Sequence, residues 1–436
     1  MTAPPRTHPV GLSAVEARVL EALDERALVA TLVRLLHVPS VTGSPEESEL
    51  QHDLARLLGA EGLDVDAWSV DLVATRADPD FPGLEAERTE AQGLVGVLPG
   101  GSGDALPALV LQGHVDVVPV GDRAAWAHDP YEAHLDGPVL HGRGACDMKA
   151  GVAANLAVVQ AIRRSAVVLD RPLALHSVVS EEDGGLGAFA TLRRGHSGEV
   201  AVISEPTSGQ LVIATAGALT FKISVPGLAA HGSSRLSGHS AVDAYLPVHM
   251  ALAALERRRN VDGSRDPRFG DNPLPYPLSV GILRAGDWAS TVPERLVAQG
   301  RLGVRLGEEV GHARAELEEA VATAATADPW LRDHPPVVTW PGGQFASGEL
   351  AAGHPLVDEI QRACLDTGGR SPAPAAAPYG SDLRLYAGMG GIPTLHFGPG
   401  DVRDAHSPHE RVDLDEVLAV ARALTVLAVR RCGAHL

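Results

Sequence analysis

LALHSVVSEEDGGLGAFATLRRGHSGEVAVISEPT, residues 173–207, is the stretch that decides the fold. Leu173–Ser180 is an apolar run of strand length, GAFATLRRG at 187–195 has helical spacing, and VAVISEP at 200–206 reads as a second strand. Strands alternating with helices imply a largely parallel sheet covered on both faces. Two carboxylates, Glu181 and Glu182, stand where the first strand runs into an Asp-Gly-Gly break, and Glu205 closes the second. Adjacent like charges at the end of a buried strand repel each other and lose hydration. Their position calls for compensating positive charge.

The same alternation extends in both directions. Upstream, GLVGVLPG (93–100) and ALVLQGHVDVV (108–118) read as neighbouring strands, and MKAGVAANLAVVQAIRRS (148–165) as a helix. Residues 13–36 show helical spacing, and a further helix follows Ser44 as N-cap with Pro45 at its first position. Beyond Glu205 the rhythm changes: ALTFKISVPG is a strand of period two, GHSAVDAYLPVHMALAALERRR a long helix, PLSVGILRAG and RLVAQGRLGVRL two more strands. EEVGHARAELEEAVATAATA is then a helix and PPVVTW a strand. That order is βαββαβ, a ferredoxin-like sandwich. The expected class is therefore α/β with two domains: residues 216–342 inserted, and a discontinuous domain of 1–215 and 343–436 with a mainly parallel central sheet. SPAPAAAP (371–378) reads as a loop.

With 436 residues the chain exceeds one ordinary core, and 45% hydrophobic residues exclude global disorder. A formal net charge of -19 repels phosphate backbones and anionic membranes, so neither nucleic acid nor membrane is expected as a partner. The three cysteines have no paired spacing, which favours a reducing compartment. Residues 1–28 hold no apolar core of signal-peptide length, and no run approaches the ~20 apolar residues of a membrane span. The expected location is cytoplasmic. No G-x-G-x-x-G opens a helix after an early strand, which removes a dinucleotide-binding oxidoreductase.

Taken in order, the strand ends carry one chemistry. LQGHVDVVP places His114 and Asp116 two apart, GRGACDMK brings Asp147 before a helix, and VVSEEDGG brings Glu181 and Glu182. VISEPT ends on Glu205, and DAHSPHE offers His406. Ligands gather at the carboxyl ends of strands in open α/β sheets. Imidazoles with carboxylates suit zinc or a neighbouring divalent ion. Three carboxylates and two imidazoles leave one carboxylate to bridge two ions. Asp147 is the bridging candidate, with His114 and Glu205 completing one site and Glu182 and His406 the other. Asp116 is better placed to hold the His114 imidazole than to bind metal.

Together GHVDVVP, HGRGACDMKAG, SEEDGGLGA, ISEPT and DAHSPHERV resemble the M20 family of co-catalytic zinc metallopeptidases and amidohydrolases, over nearly the whole chain after about residue 90. The resemblance implies a catalytic domain of zinc-peptidase type, and places the inserted domain where that family has its lid and dimerisation domain. It implies His114, Asp147, Glu182, Glu205 and His406 as metal ligands, Asp116 as orienting acid and Glu181 as general base. It also implies His231, in VPGLAAHGSS, as a catalytic group that reaches the partner subunit's active site and hydrogen-bonds the carbonyl oxygen as negative charge develops there, and hence a homodimer. Ser290 and His409 stand where asparagine is common, and His141 where tyrosine is common. Two divalent ions per subunit are expected, zinc first, with cobalt or manganese able to use the same ligands.

The implied reaction is metal-assisted hydrolysis of an amide. The layout most resembles the acetylornithine deacetylase and succinyl-diaminopimelate desuccinylase group, so the expected substrate is an N-acyl amino acid. Peptidase action on a dipeptide or C-terminal residue is the alternative. Family substrates commonly carry a free α-carboxylate, for which Arg305 and Arg384 are the candidate partners. A non-hydrolytic binding protein of this fold would be signalled by loss of Glu181 or of a ligand, and none is missing.

Overall fold

The computed structural model describes residues 11–103, 105–261 and 266–436; residues 1–10 of the amino-terminal stretch considered above lie outside it. A nine-stranded mixed sheet forms the centre. Its order is Asp64–Ser69, Gln92–Leu98, Leu173–Val178, Leu109–His114, Ala201–Pro206, Thr394–Gly398, Leu211–Thr215 and Gly348–Glu349, with Pro374–Ala377 pairing on Leu211–Thr215. Leu109–His114 runs parallel to both of its neighbours, and Ala201–Pro206 runs parallel to Thr394–Gly398. These four strands are buried at every position, as expected where both faces of a parallel sheet are covered. Alternate residues serve two cores. Leu109, Leu111, Leu173 and Leu175 join one, whereas Val110, Ala174 and Val178 join the other.

Helix Ala150–Ser165 lies against the middle of this sheet, and almost all of its residues are buried. Its composition allows a close approach: a Cβ on Gly151 would sit 2.0 Å from the Ser204 carbonyl oxygen. The carboxyl-terminal helix Leu414–Cys432 packs along it in turn. All three cysteines are free and buried, and no helix among the described residues is long and apolar enough to cross a membrane.

Several local expectations change. Gln92–Leu98 and Leu109–His114 are not neighbours, because Leu173–Val178 lies between them and pairs with both. A glycine-rich connection suits a hairpin, but the longer-range pairing buries both faces of Leu173–Val178. The flanks of the sheet are antiparallel. Pro374–Ala377, in the alanine-rich patch expected to be a loop, is a strand parallel to Leu211–Thr215. Its small side chains carry little strand signal of their own. Residues 13–36 form two helices, Ala14–Glu21 and Glu25–Leu36, the second capped by Asp24.

Gly217–Pro226, Leu278–Ala285, Arg295–Val304 and Val337–Thr339 build a second, antiparallel sheet. Helices Ala241–Val261 and Val310–Ala325 pack on each other and share its core. Strand Gly217–Pro226 alternates strictly, with Leu219, Phe221, Ile223 and Val225 fully buried. The long helix runs on through Pro247. Leu278–Ala285 is the outer strand, and most of its residues are exposed, Ile282 and Leu283 among them.

Candidate functional site

Each strand-end group arrives at the same place by a different local device. His114 is the last residue of a fully buried strand, and Glu205 the penultimate residue of the adjacent strand in the sheet. Glu181 and Glu182 occupy the turn between Val178 and helix Leu186–Arg193. Ser180 enters that turn at φ 63°, and His406 is held at φ 58° in its loop. Non-glycine residues seldom adopt this left-handed conformation, and it persists where surrounding contacts enforce it. Gly184 ends the turn with no room for a side chain, since a Cβ would lie 2.1 Å from the Gly83 carbonyl oxygen.

The imidazole Nε2 atoms face carboxylates. His114 Nε2 lies 3.1 Å from Asp147 Oδ1 and 3.6 Å from Glu205 Oε1. His406 Nε2 lies 3.0 Å from Glu182 Oε2 and 3.3 Å from Asp147 Oδ2. His114, Asp147 and Glu205 form one group of ligand atoms close enough to hold an ion, and Asp147, Glu182 and His406 form another. Asp147 is common to both. Glu182 Oε1 is buried without a hydrogen-bond partner, as an atom awaiting a cation would be. A nitrogen and oxygen donor set of this kind fits two borderline divalent ions.

Asp116 has more to do than orient an imidazole. His114 Nδ1 bonds to the Asp116 backbone carbonyl at 3.0 Å, with the Asp116 carboxylate at 3.5 Å. That carboxylate accepts the backbone N–H groups of Glu181 and Glu182, both at 3.2 Å, and the Thr42 hydroxyl at 3.0 Å. One buried acid therefore ties the His114 strand to the glutamate turn.

The electrostatics follow from too many buried carboxylates. Burial disfavours a charged His114, but Glu205, Asp116 and Asp147 outweigh it and hold its basicity well above the usual range. The Glu182 carboxylate, with Asp147, raises His406 to about 11 against an opposing loss of hydration. Asp147 loses hydration as well, yet hydrogen bonds from both imidazoles hold its pKa well below the usual carboxylate range. Glu181 is pushed up by burial and by Glu205 and Asp382, and Glu205 by burial and by Asp147 and Glu182. Only part of this set can be ionised together without further positive charge.

A second layer, missed from sequence, holds the groups in place. Glu410 accepts the backbone N–H groups of Cys146 and Asp147 at 3.2 Å each, and pairs with buried Arg143. Glu47 accepts from Ser180 N–H at 3.2 Å and from Arg88 at 3.0 Å. Asp183 bonds the Ser180 hydroxyl and the backbone of Glu85 and Ala86. Glu410 sat in a quoted motif. Glu47 and Arg88 had no local signal, because their partners are distant in sequence.

Above these groups lies a cavity of about 420 Å³. Asp147, Glu181, Glu182, Glu205 and His406 line it from the large sheet, and Ala218, Thr220 and Arg301 from the small one, together with Glu85, Phe345 and Tyr379. Arg301 is the cation that the sequence reading overlooked. Arg305, four residues on, pairs instead with Glu308 at 3.4 Å and Glu316 at 3.6 Å and is not part of the lining. Arg384 is buried beneath the lining, 3.9 Å from the Phe345 ring centroid, and donates to the carbonyls of Ser381 and Gly184. His231 is exposed, bridges to Thr291 and bonds Ser233, and does not line the cavity of its own chain.

Residues 110–430 match the family model of Peptidase family M20/M25/M40. The chain is similar to the N-formyl-4-amino-5-aminomethyl-2-methylpyrimidine deformylase of Bacillus subtilis, 25% identical over 438 residues covering 96% of this chain and 97% of that one. It is also similar to the succinyl-diaminopimelate desuccinylase of Caulobacter vibrioides, 29% identical over 353 residues covering 76% and 82%. In fold it matches the di-peptidase Dug1p of Saccharomyces cerevisiae, with a TM-score of 0.78 at 14% identity over 97% of this chain and 99% of that one.

Proposed function

The chain belongs to peptidase family M20/M25/M40, and from that premise we propose that it is a metal-dependent hydrolase that removes the acyl group from N-acyl amino acids. Two groups of ligand atoms sharing Asp147, with Glu181 beside them on the same cavity, are the observation that carries this reading. His114 and Glu205 would hold one divalent ion, Glu182 and His406 the other, and Asp147 both. Zinc is the first expectation, with cobalt or manganese suited to the same donors. Bound ions of this kind polarise a carbonyl oxygen and lower the pKa of water.

The chain's own groups do the rest. Glu181, outside both ligand groups, takes the proton of the attacking water as its oxygen bonds to the carbonyl carbon. It returns that proton to the nitrogen as the C–N bond breaks, so that amine and carboxylate leave. Burial and neighbouring carboxylates raise its basicity, which suits a base and then an acid near neutral pH. Asp116 holds the Glu181 backbone while it does so. Arg301 faces the cavity as the partner for the substrate carboxylate.

Residues 216–342 act in this reading as the lid and dimerisation domain. The exposed outer strand Leu278–Ala285 offers an edge for a second copy, through which His231 would reach the partner's cavity. Three free buried cysteines agree with a cytoplasmic setting.

A second reading is deformylation of an N-formyl amine carried on a heteroaromatic ring. It is favoured by full-length similarity to the Bacillus subtilis deformylase and by the aromatic lining of Phe345 and Tyr379. Peptidase action breaks the same bond type and stays as the alternative. A screen of N-acetyl, N-succinyl and N-formyl amines and dipeptides, on protein reconstituted with each metal, separates these. Fastest release from an N-acyl amino acid supports the main reading. With two ions bound, failure to release amine from any substrate rejects hydrolysis.

A further inference from the structure

We propose that the Tyr379 hydroxyl is a catalytic hydrogen-bond donor to the substrate carbonyl oxygen, supplied by the same chain that holds the metal ligands; the inference rests on the amide-hydrolase reading. As an amide is attacked, negative charge gathers on that oxygen, and a prepositioned donor at that point speeds the reaction. The cavity lining is rich in carboxylate acceptors and short of uncommitted donors.

Three hydroxyls belong to the lining: Thr220, Tyr379 and Ser381. Thr220 donates to Glu85. Ser381 is bonded to His396 Nε2 at 3.0 Å and accepts Leu383 N–H at 3.2 Å. Tyr379 alone of the three makes no hydrogen bond among the described residues. His406 is already engaged by Glu182 and Asp147, and His231 lies outside the cavity lining of its own chain, so that in the dimer reading it would add a second donor from the other subunit.

The Tyr379 ring is held for such a task. It stacks on buried His396 with ring centroids 6.3 Å apart and planes 14° from parallel. The residue before it is tied to the other sheet, since Arg301 donates to the Pro378 carbonyl at 3.0 Å. The phenol O–H donates a hydrogen bond to the oxygen on which charge develops. No proton is transferred to or from it.

Tyr379→Phe keeps the stacked ring and removes only the hydroxyl, so it tests the inference. The measurements are kcat and KM on the best amide from the screen, metal content, and the affinities of a phosphinate mimic of the tetrahedral intermediate and of the amino-acid product. The expected result is a roughly 10²–10³-fold lower kcat and a comparable loss of phosphinate affinity. KM, product affinity and metal content stay within twofold. Wild-type kcat and phosphinate affinity in the variant would overturn the inference alone, as would a loss of rate traced to lost metal. An inactive wild-type enzyme with both ions bound would instead overturn the hydrolase reading on which it rests.

Discussion

Each sheet carries a dense cluster of charge, and the two clusters are balanced differently. At the small sheet Arg259 and Arg305 meet Glu308 and Glu316, and Arg259 also donates to the Gly303 carbonyl at 2.9 Å. Two cations face two carboxylates there. At the strand ends of the large sheet, among the described residues, Asp147, Glu182 and Glu205 form ion pairs only with the imidazoles of His114 and His406, Glu181 beside them forms none, and Glu182 Oε1 is left unpaired. A cluster that balances its own charge is complete as folded and serves structure. One that leaves carboxylates facing each other has kept room for positive charge from elsewhere, at a cost in stability.

The contrast can be tested by removing one member at a time. Glu181→Gln should lower kcat by about 10²–10⁴-fold while both metals stay bound, read by turnover beside metal analysis. Retention of the wild-type rate would remove Glu181 as the base. Arg259→Met should cost about 3–5 kcal/mol of unfolding free energy, since it strands two partly buried carboxylates. Denaturant titration measures that cost, and metal stoichiometry should not change.

Chelation should act only on the other cluster. With metal at 100 times its dissociation constant, removing it should lower stability by about 2.7 kcal/mol, and Glu182→Ala should shrink that shift. An equal metal effect in the variant would put the ion elsewhere. Arg301→Ala should raise KM for carboxylate-bearing substrates by about 10–100-fold, the worth of a charge-assisted hydrogen bond of about 1.5–3 kcal/mol. Arg305→Ala should leave KM alone. The reverse pattern would restore the arginine first expected.

The smallest effect comes from histidines in the opposite environment. His176 and His396 are buried, and burial lowers each to about 3. A folded-state value below the unfolded 6.5 means stability that is present above pH 6.5 and lost as pH falls. His176 alone should remove about 1.4 kcal/mol per pH unit below that point. Denaturant titrations of metal-free protein between pH 7 and 5 should show this slope reduced in His176→Asn.

Legibility differed between residues for physical reasons. His114, Asp147, Glu181, Glu182, Glu205 and His406 stood out because charge at the end of an apolar run conflicts with its surroundings, a conflict visible within a few residues. Glu47 and Arg88 showed no such conflict, because a glutamate in the amphipathic helix Pro45–Ala60 and an arginine in a polar loop are ordinary. Their roles exist only through Ser180 and Asp183, more than 90 residues away. Arg301 and Arg305 share one strand motif, and only the packing of the small sheet on the cavity separates Arg301, in the lining, from Arg305, paired with Glu308 and Glu316.

By itself the sequence determined the α/β alternation, the second βαββαβ unit and the acidic strand ends, because burial periodicity and local charge are written within single segments. Tertiary structure alone decided that Leu173–Val178 lies between the two upstream strands, that Asp116 grips the glutamate turn, and that Arg301 and Tyr379 line the cavity. Strand pairing, buried hydrogen bonds and cavity walls are contacts between distant segments. Their energies depend on which surfaces meet, and no single segment contains that information.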